Sequence, residues 1–121
     1  MRSMLVIAIV VAGLGVALGA FGAHGLKRRV PEEAVKIYHT GVQYQLTHAL
    51  AMILVASLVP RWISETSGMW VDLLFLLGVI LFSGSLYALT LGWLKGRWGL
   101  ITPVGGLFFL AGWTLLAVRA L

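Results

Sequence analysis

Residues 40–48 read TGVQYQLTH and lead directly into the apolar run ALAMILVASLV at residues 49–59. On a helix, four side chains of the first stretch share one face because they are spaced i, i+3, i+4 and i+7: Gly41, Tyr44, Gln45 and His48. The chain therefore carries a polar face into an apolar helix. Since lipid offers no partner for an amide or an imidazole, this face is predicted to meet protein, water or a ligand.

The composition indicates an integral membrane protein. Hydrophobic residues make up 60% of the 121 residues and charged residues only 11%, whereas about a quarter of the residues in soluble domains are charged. The mean hydropathy is +1.00. The net charge is +5, but the basic residues are few and lie between apolar runs, which favours topology signals or lipid contacts over nucleic-acid binding. The absence of cysteine excludes disulfides, thiolate metal sites and a cysteine nucleophile.

Four apolar runs have the length that crosses a bilayer as a helix. They predict one transmembrane domain over residues 1–121, with spans at residues 4–22, 41–59, 70–92 and 100–120. Pro31 and the two glutamates that follow it suit a helix N-terminus, so residues 31–39 predict a short amphipathic segment at the interface. The predicted fold class is all-α: an integral membrane bundle of four antiparallel helices with this interfacial segment between helices 1 and 2.

Small residues repeat along two of the spans. Gly15 and Gly19 form a G-x-x-x-G pattern in the first span, and Gly84, Ala88 and Gly92 form a similar stripe in the third. Such stripes let helices approach each other closely. They predict tight helix packing, and the same faces could form a homo-oligomer or a larger membrane complex. Membrane lipid is the other expected partner, and no nucleic acid is expected.

The basic residues are divided unevenly between the two membrane sides. The termini and the second loop carry three, and the first and third loops carry six: Lys27, Arg28, Arg29, Lys36, Lys95 and Arg97. The predicted location is the inner (cytoplasmic) membrane, as a multi-pass protein. The positive-inside rule then predicts that the first and third loops are in the cytoplasm and both termini outside. The same six side chains are the predicted contacts to lipid headgroups.

This topology brings most of the intramembrane polar side chains to one leaflet. The predicted polar pocket comprises His24, His39, Gln43, Tyr44, Gln45, His48, Ser83, Ser85, Tyr87 and Thr102. At about 1.5 Å per residue, His48 is expected about 10 Å inside the second span. It is expected to point into the bundle toward the third span, near Ser83 or Tyr87. The opposite leaflet contains leucine, valine, isoleucine and alanine and is predicted to be inert.

Three chemical interpretations of this pocket are open. Its side chains can hydrogen-bond between helices and simply hold the bundle together. They can line a site for a lipid or another amphiphile, with the six basic residues at the rim holding an anionic headgroup. The three histidines can also bind a metal or haem, although His39 and His48 are about 180° apart on a straight helix.

Two kinds of activity lack the residues that they need. All four acidic residues are assigned to loops or span ends: Glu32, Glu33, Glu65 and Asp72. The chain is therefore predicted to lack the intramembrane carboxylate of a proton-coupled multidrug exporter. Hydrolysis by Ser83 or Ser85 with His48 needs an orienting acid, and none is expected nearby. No catalytic residue is assigned.

Short motifs in all four spans resemble one known family of small membrane proteins. The motifs are GAFGAH at 19–24, TG with YQ and a histidine within 40–48, LFSGSLY at 81–87, and TPVGG at 102–106 followed by GW at 112–113. Their order and spacing are similar to those of domain-of-unknown-function family 423, which includes a bacterial inner-membrane protein and the animal transmembrane protein 256. The resemblance implies a four-span membrane protein, and it carries over no catalytic residue because the family has none assigned.

These observations together predict a non-enzymatic membrane protein with a polar pocket in one leaflet. Its role would be that of an accessory subunit in a larger complex, or of a module that binds lipid or another amphiphile. The sequence requires no cofactor. The alternatives are a histidine-based metal or haem protein with a redox role, and a small-solute channel or transporter.

Overall fold

The computed structural model describes every residue from Met1 to Leu121 and is built from helices. The α-helices are α1 (Arg2–His24), α2 (Glu32–Leu58), α3 (Glu65–Gly78), α4 (Gly84–Thr90) and α5 (Ile101–Ala120). A π-helical turn, Val79–Ser83, joins α3 to α4, so residues 65–90 form one continuous rod, called the third span below. Four helical segments are long and apolar enough to cross a membrane. The predicted all-helical transmembrane fold is confirmed.

Helix α2 differs from its predicted organisation. Residues 32–39 are its first turns rather than a separate interfacial segment, and the helix passes Gly41 without interruption. No proline lies within it, so each backbone N–H after the first turn finds a carbonyl four residues earlier. A helix of 27 residues is about 40 Å long, which matches a bilayer together with its headgroups. Its middle residue, Gln45, therefore lies near the bilayer centre.

Helix α3 starts earlier than the predicted third span. Ser64 caps it, since the Ser64 hydroxyl oxygen accepts a hydrogen bond from the Ser67 N–H at 3.1 Å. The helix thus begins at Glu65 rather than Trp70, and Asp72 lies two turns inside it. The third span ends at Thr90, and the chain turns at Gly92 (φ +78°), a conformation that glycine adopts without steric cost.

The two inner elements of the bundle are α2 and the third span. Helix α1 packs on α2, and α5 packs on the third span. The main apolar core lies between the inner elements and includes Met52 and Val55 of α2 with Val71 and Phe75 of α3. The outer faces of α1 and α5 expose large aliphatic side chains, as expected for surfaces that contact lipid.

Glycines mark the closest approaches between helices. A Cβ atom at Gly15 would lie 2.7 Å from the Leu46 side chain, so the predicted glycine face of the first span packs α1 against α2. A Cβ atom at Gly105 of α5 would lie 2.3 Å from the backbone nitrogen of Phe82 in the π-helical turn. The absence of a side chain at Gly105 is therefore required for α5 to reach the third span.

The predicted small-residue stripe of the third span has no such role within the chain. A Cβ atom at Gly84 would have no neighbour within 4 Å, and Gly92 belongs to a turn. The oligomer or larger complex expected through small-residue faces stays a prediction, and the glycines that pack most tightly are already used inside this chain.

Candidate functional site

Gln45 connects α1 to the third span near the bilayer centre. Its Nε2 donates to the Val11 carbonyl oxygen of α1 at 2.9 Å, and its Oε1 accepts a hydrogen bond from the Tyr87 hydroxyl at 2.6 Å. Gln45 is buried. Both ends of its amide are thus satisfied by neighbouring helices, as a polar group at membrane depth requires.

A second contact joins α2 to the third span one turn away. The Ser83 hydroxyl donates to the Gly41 carbonyl oxygen at 2.7 Å, and both residues are buried. A Cβ atom at Gly41 would lie 2.8 Å from the Tyr87 ring. Glycine at this position therefore allows the two helices to approach closely enough for both hydrogen bonds to form.

His48 connects α2 to α5. The Trp113 indole N–H donates to His48 Nε2 at 3.0 Å, and His48 Nδ1 lies 2.8 Å from the Tyr44 carbonyl oxygen. Because Nε2 accepts a hydrogen bond, the proton of the neutral ring is on Nδ1, which donates to the carbonyl. The imidazole also stacks on Phe109, with ring centroids 3.7 Å apart. Gln45, His48, Ser83, Tyr87 and Trp113 are called the central polar cluster below.

The predicted partners of His48 were wrong. His48 points into the bundle as expected and is 4% exposed, but its partner is Trp113 rather than Ser83 or Tyr87. Those two side chains bind Gly41 and Gln45, which lie earlier on α2. Because α2 begins at Glu32, His48 is about 24 Å along the helix at 1.5 Å per residue. The cluster is therefore central in the membrane and not confined to one leaflet.

A cleft of about 410 Å³ opens beside His48 toward the lipid-facing side of α5. It is lined by Tyr44, His48, Phe82, Pro103, Gly106, Leu107, Phe109, Leu110 and Trp113. Tyr44 and Trp113 are 40% and 42% exposed, so both are wall residues with one side free. The cleft is predominantly aromatic and aliphatic, with the imidazole and indole as fixed polar groups.

The structure brings only some of the other predicted pocket residues together. Ser85 hydrogen-bonds to Thr102 and so joins the third span to α5. His24 and Gln43 are exposed, and His39 is half-buried against Tyr38 near the end of the bundle. The six predicted headgroup contacts are all exposed: Lys27, Arg28, Arg29, Lys36, Lys95 and Arg97. Their contact with lipid, and the orientation of the protein in the membrane, stay predictions.

The three histidines do not form a ligand set. No group of three or more histidine, aspartate or glutamate side chains is placed to hold a metal ion. His48 uses both ring nitrogens in hydrogen bonds within the chain, and His24 is exposed at the end of α1. The three histidines therefore do not provide a set of free donor atoms for a metal or haem.

Sequence reasoning missed Asp72. Its side chain is 0% exposed, and neither carboxylate oxygen has a hydrogen-bond partner. The prediction that all four acidic residues lie in loops or span ends was wrong, as was the prediction of an inert opposite leaflet. A proton-coupled activity was excluded because no carboxylate was expected inside the membrane, and Asp72 removes that reason. The available signal was the single aspartate in the otherwise apolar stretch MWVDLLFLLG at residues 69–78.

Phe109, Trp113 and Tyr38 were also missed as contacts between helices. Trp113 was singled out only as part of the GW motif at residues 112–113. The Tyr38 hydroxyl donates to the Leu18 carbonyl oxygen at 2.6 Å and provides a second link between α1 and α2.

Comparison with known families matches residues 18–106 to the family described as "Protein of unknown function (DUF423)". The chain belongs to this family. It is 43% identical to the UPF0382 inner membrane protein YgdD of Escherichia coli (strain K12), over 99% of this chain and 90% of that protein. It is 39% identical to the UPF0382 membrane protein YwdK of Bacillus subtilis (strain 168), over 99% of this chain and 97% of that protein. No solved structure matches.

The family assignment confirms the resemblance seen in the sequence motifs. The chain is an integral, multi-pass protein of the cell inner membrane, in keeping with the names of its relatives and its four membrane-spanning helices. The matched region contains Gln45, His48, Asp72, Ser83 and Tyr87. The family is of unknown function, so it supplies the class of protein and no activity.

Proposed function

We propose that this membrane protein is a non-enzymatic module that binds an amphiphile in the cleft beside His48. The observation that carries the proposal is the combination of an open aromatic cleft of about 410 Å³ with an internally fixed His48–Trp113 pair on its wall. Ligand sites in proteins have volumes of about 300–1,000 Å³ and are apolar with a few placed polar groups.

The walls of the cleft favour a molecule with a flat ring. Tyr44, Phe82 and Phe109 lie within 4.7–6.0 Å of one another by ring centroids, and Trp113 completes the aromatic lining. Aromatic faces attract other rings in stacked or edge-to-face arrangements. Leu107 and Leu110 extend the surface toward the lipid, where a hydrocarbon tail would continue.

A polar group of the ligand has one available partner in the cleft. This partner is the Tyr44 hydroxyl, which takes part in none of the hydrogen bonds described above. A hydroxyl at membrane depth without a partner is costly. A carbonyl or hydroxyl group on the ligand would satisfy Tyr44, while His48 and Trp113 are held in place by each other and need no rearrangement.

The hydrogen bonds of the site support binding rather than catalysis. His48 has no free ring nitrogen to act as a base. The Ser83 and Ser85 hydroxyls donate to the backbone carbonyl oxygens of Gly41 and Phe82. No nucleophile in this region is hydrogen-bonded to a base, which is the arrangement that covalent catalysis needs.

The test is to fill the cleft without disturbing the helices. A Cβ atom at Gly106 would lie 3.9 Å from the Phe82 ring, an ordinary contact, so Gly106→Leu should fold and place its side chain in the cleft. Gly13→Leu is the matched control, because Gly13 lies on α1 with nothing within 4 Å. Both variants and the parent protein are placed in nanodiscs of bacterial total lipid extract and analysed by native mass spectrometry.

We expect the parent protein and Gly13→Leu to retain a bound amphiphile that Gly106→Leu loses. Retention by all three proteins would contradict the proposal, because the molecule would then be bound elsewhere. The absence of any retained amphiphile from the parent protein would also contradict it.

A further inference from the structure

Asp72 is the one buried side chain of the protein whose polar atoms have no partner. It lies in α3, seven residues after Glu65, which corresponds to about 10 Å along the helix. The side chain is completely buried. No hydrogen bond of the central polar cluster reaches it, so the amphiphile site does not account for its presence.

The surroundings of Asp72 are apolar. Its neighbours in sequence and on the helix, Val71 and Phe75, are fully buried and belong to the main core with Met52 and Val55 of α2. Residues 49–58 of α2 contain no titratable side chain. A carboxyl group in this setting has no donor that would stabilise a negative charge.

The charged groups at this end of the bundle do not neutralise it. They are the side chains of Arg2, Arg61, Glu65 and Arg119, which are exposed, and the amino group of Met1. The amino group is 2.8 Å from Glu65 Oε1 and is therefore paired with that carboxylate. No basic side chain is placed to pair with the Asp72 carboxylate.

We propose that Asp72 is a proton-binding site within the membrane, whose carboxyl holds a proton in the resting protein and releases it reversibly as the aqueous pH rises. An unpaired carboxylate would place a full charge in an apolar bundle, and a buried acid avoids that cost by taking up a proton. The one bond that forms and breaks is the O–H bond of the carboxyl, and the proton passes to water.

A proton fits the site better than a metal ion. Hard metal cations need several oxygen ligands around them, whereas no group of three or more acidic or histidine side chains is placed to hold an ion at Asp72. Its position about 10 Å from the first residue of α3 keeps it closer to the end of the bundle that carries the chain termini than to the opposite end.

The composition of the chain makes a direct test possible. Asp72 is the only aspartate, so aspartate labelled with carbon-13 at the side-chain carboxyl gives a single resonance. The labelled protein is studied by NMR in phosphatidylcholine nanodiscs from acidic to alkaline pH, with and without sodium. We expect the shift of a protonated acid at neutral pH, a reversible change to that of a carboxylate on alkalinisation, and no effect of sodium.

Stability as a function of pH provides the second readout. Asp72→Asn keeps the size of the side chain but cannot ionise, so the parent protein should lose thermal stability on alkalinisation to a greater extent than this variant. Glu32→Gln is the control, since Glu32 is an exposed carboxylate in the first turn of α2 and does not hold the Met1 amino group as Glu65 does. It should leave the Asp72 resonance protonated at neutral pH.

Four results would overturn the proposal. A carboxylate shift at neutral pH would show an ionised group. A protonated shift that persists until the protein unfolds would show a purely structural acid. A sodium-dependent shift would identify a metal cation as the ligand. A Gly-Ser extension before Met1 moves the amino group away from Asp72. If Asp72 became protonated only in the extended protein, the native carboxylate would be ion-paired with the amino group.

Discussion

The central polar cluster and Asp72 are two solutions to the same problem, a polar side chain inside a membrane protein. In the cluster, Gln45, His48 and Ser83 each have hydrogen-bond partners on another helix. Asp72 is at least as deeply buried and has none. The two sites are neighbours in the bundle, because the ring of Phe75 is 5.2 Å from the His48 ring and Phe75 follows Asp72 by about one turn of α3.

The difference shows that burial alone does not indicate what a polar residue contributes. A satisfied group costs little and orders the helices around it, whereas an unsatisfied group lowers stability and is a candidate for function. The cluster thus accounts for how the helices find their neighbours, and Asp72 is left without a structural explanation. Stability measurements on reconstituted protein, using reversible unfolding in bicelles, can separate the two roles.

Replacing Asp72 should have the largest effect, and it should be favourable. Asp72→Leu removes a buried group with no partner, and we expect the free energy of unfolding to rise by about 2 kcal/mol. Glu32→Gln changes an exposed carboxylate in the first turn of α2 and should alter the stability much less. A destabilised Asp72→Leu protein would show that Asp72 has a partner and would remove the contrast between the two sites.

Replacing Gln45 should have the opposite sign. Gln45→Leu removes the bonds to Val11 and Tyr87 and leaves the Tyr87 hydroxyl without an acceptor, so the loss should be about 1.5 kcal/mol. Gln43→Leu is the matched control, because Gln43 is exposed on the same helix. Equal effects of the two substitutions would mean that the interhelical bonds of Gln45 contribute nothing measurable.

Replacing His48 should cost less. His48→Leu removes the hydrogen bond from Trp113 and the stacking on Phe109, and we expect a loss of about 1 kcal/mol with folding and membrane insertion intact. Thr47→Leu, at the neighbouring and more accessible position, serves as the control. A loss of several kcal/mol in the free energy of unfolding would exceed what one hydrogen bond contributes and would contradict this prediction.

The smallest effect concerns a single hydrogen bond. A double-mutant cycle of Gln45→Leu and Tyr87→Phe isolates the contact at 2.6 Å between Gln45 Oε1 and the Tyr87 hydroxyl. Interhelical hydrogen bonds in membranes average about 0.6 kcal/mol, so the coupling energy should be of that size. A coupling energy near zero would mean that the cluster stabilises the protein through side-chain packing and not through this hydrogen bond.

The sequence was sufficient where the cause is local. Sixty per cent hydrophobic residues in four runs of bilayer length determined the membrane class and the four helices, since every backbone group in lipid must be satisfied within its own segment. The spacing of Gly41, Tyr44, Gln45 and His48 predicted that this face of α2 meets protein, water or a ligand. Three of the four positions are buried, and Tyr44 is 40% exposed at the cleft. Gly15 was likewise predicted to be a contact, because closely spaced glycines permit close helix packing.

Only the tertiary structure decided which helix each polar side chain meets and how deep it lies. Trp113 is His48's partner because α5 is drawn against the third span at Gly105, where a side chain would collide with Phe82. Asp72 is an interior residue because Ser64 caps α3 earlier than hydropathy indicates. Periodicity gives the face of a helix, but lateral neighbours depend on side-chain shapes from distant parts of the chain, and depth depends on where each helix begins.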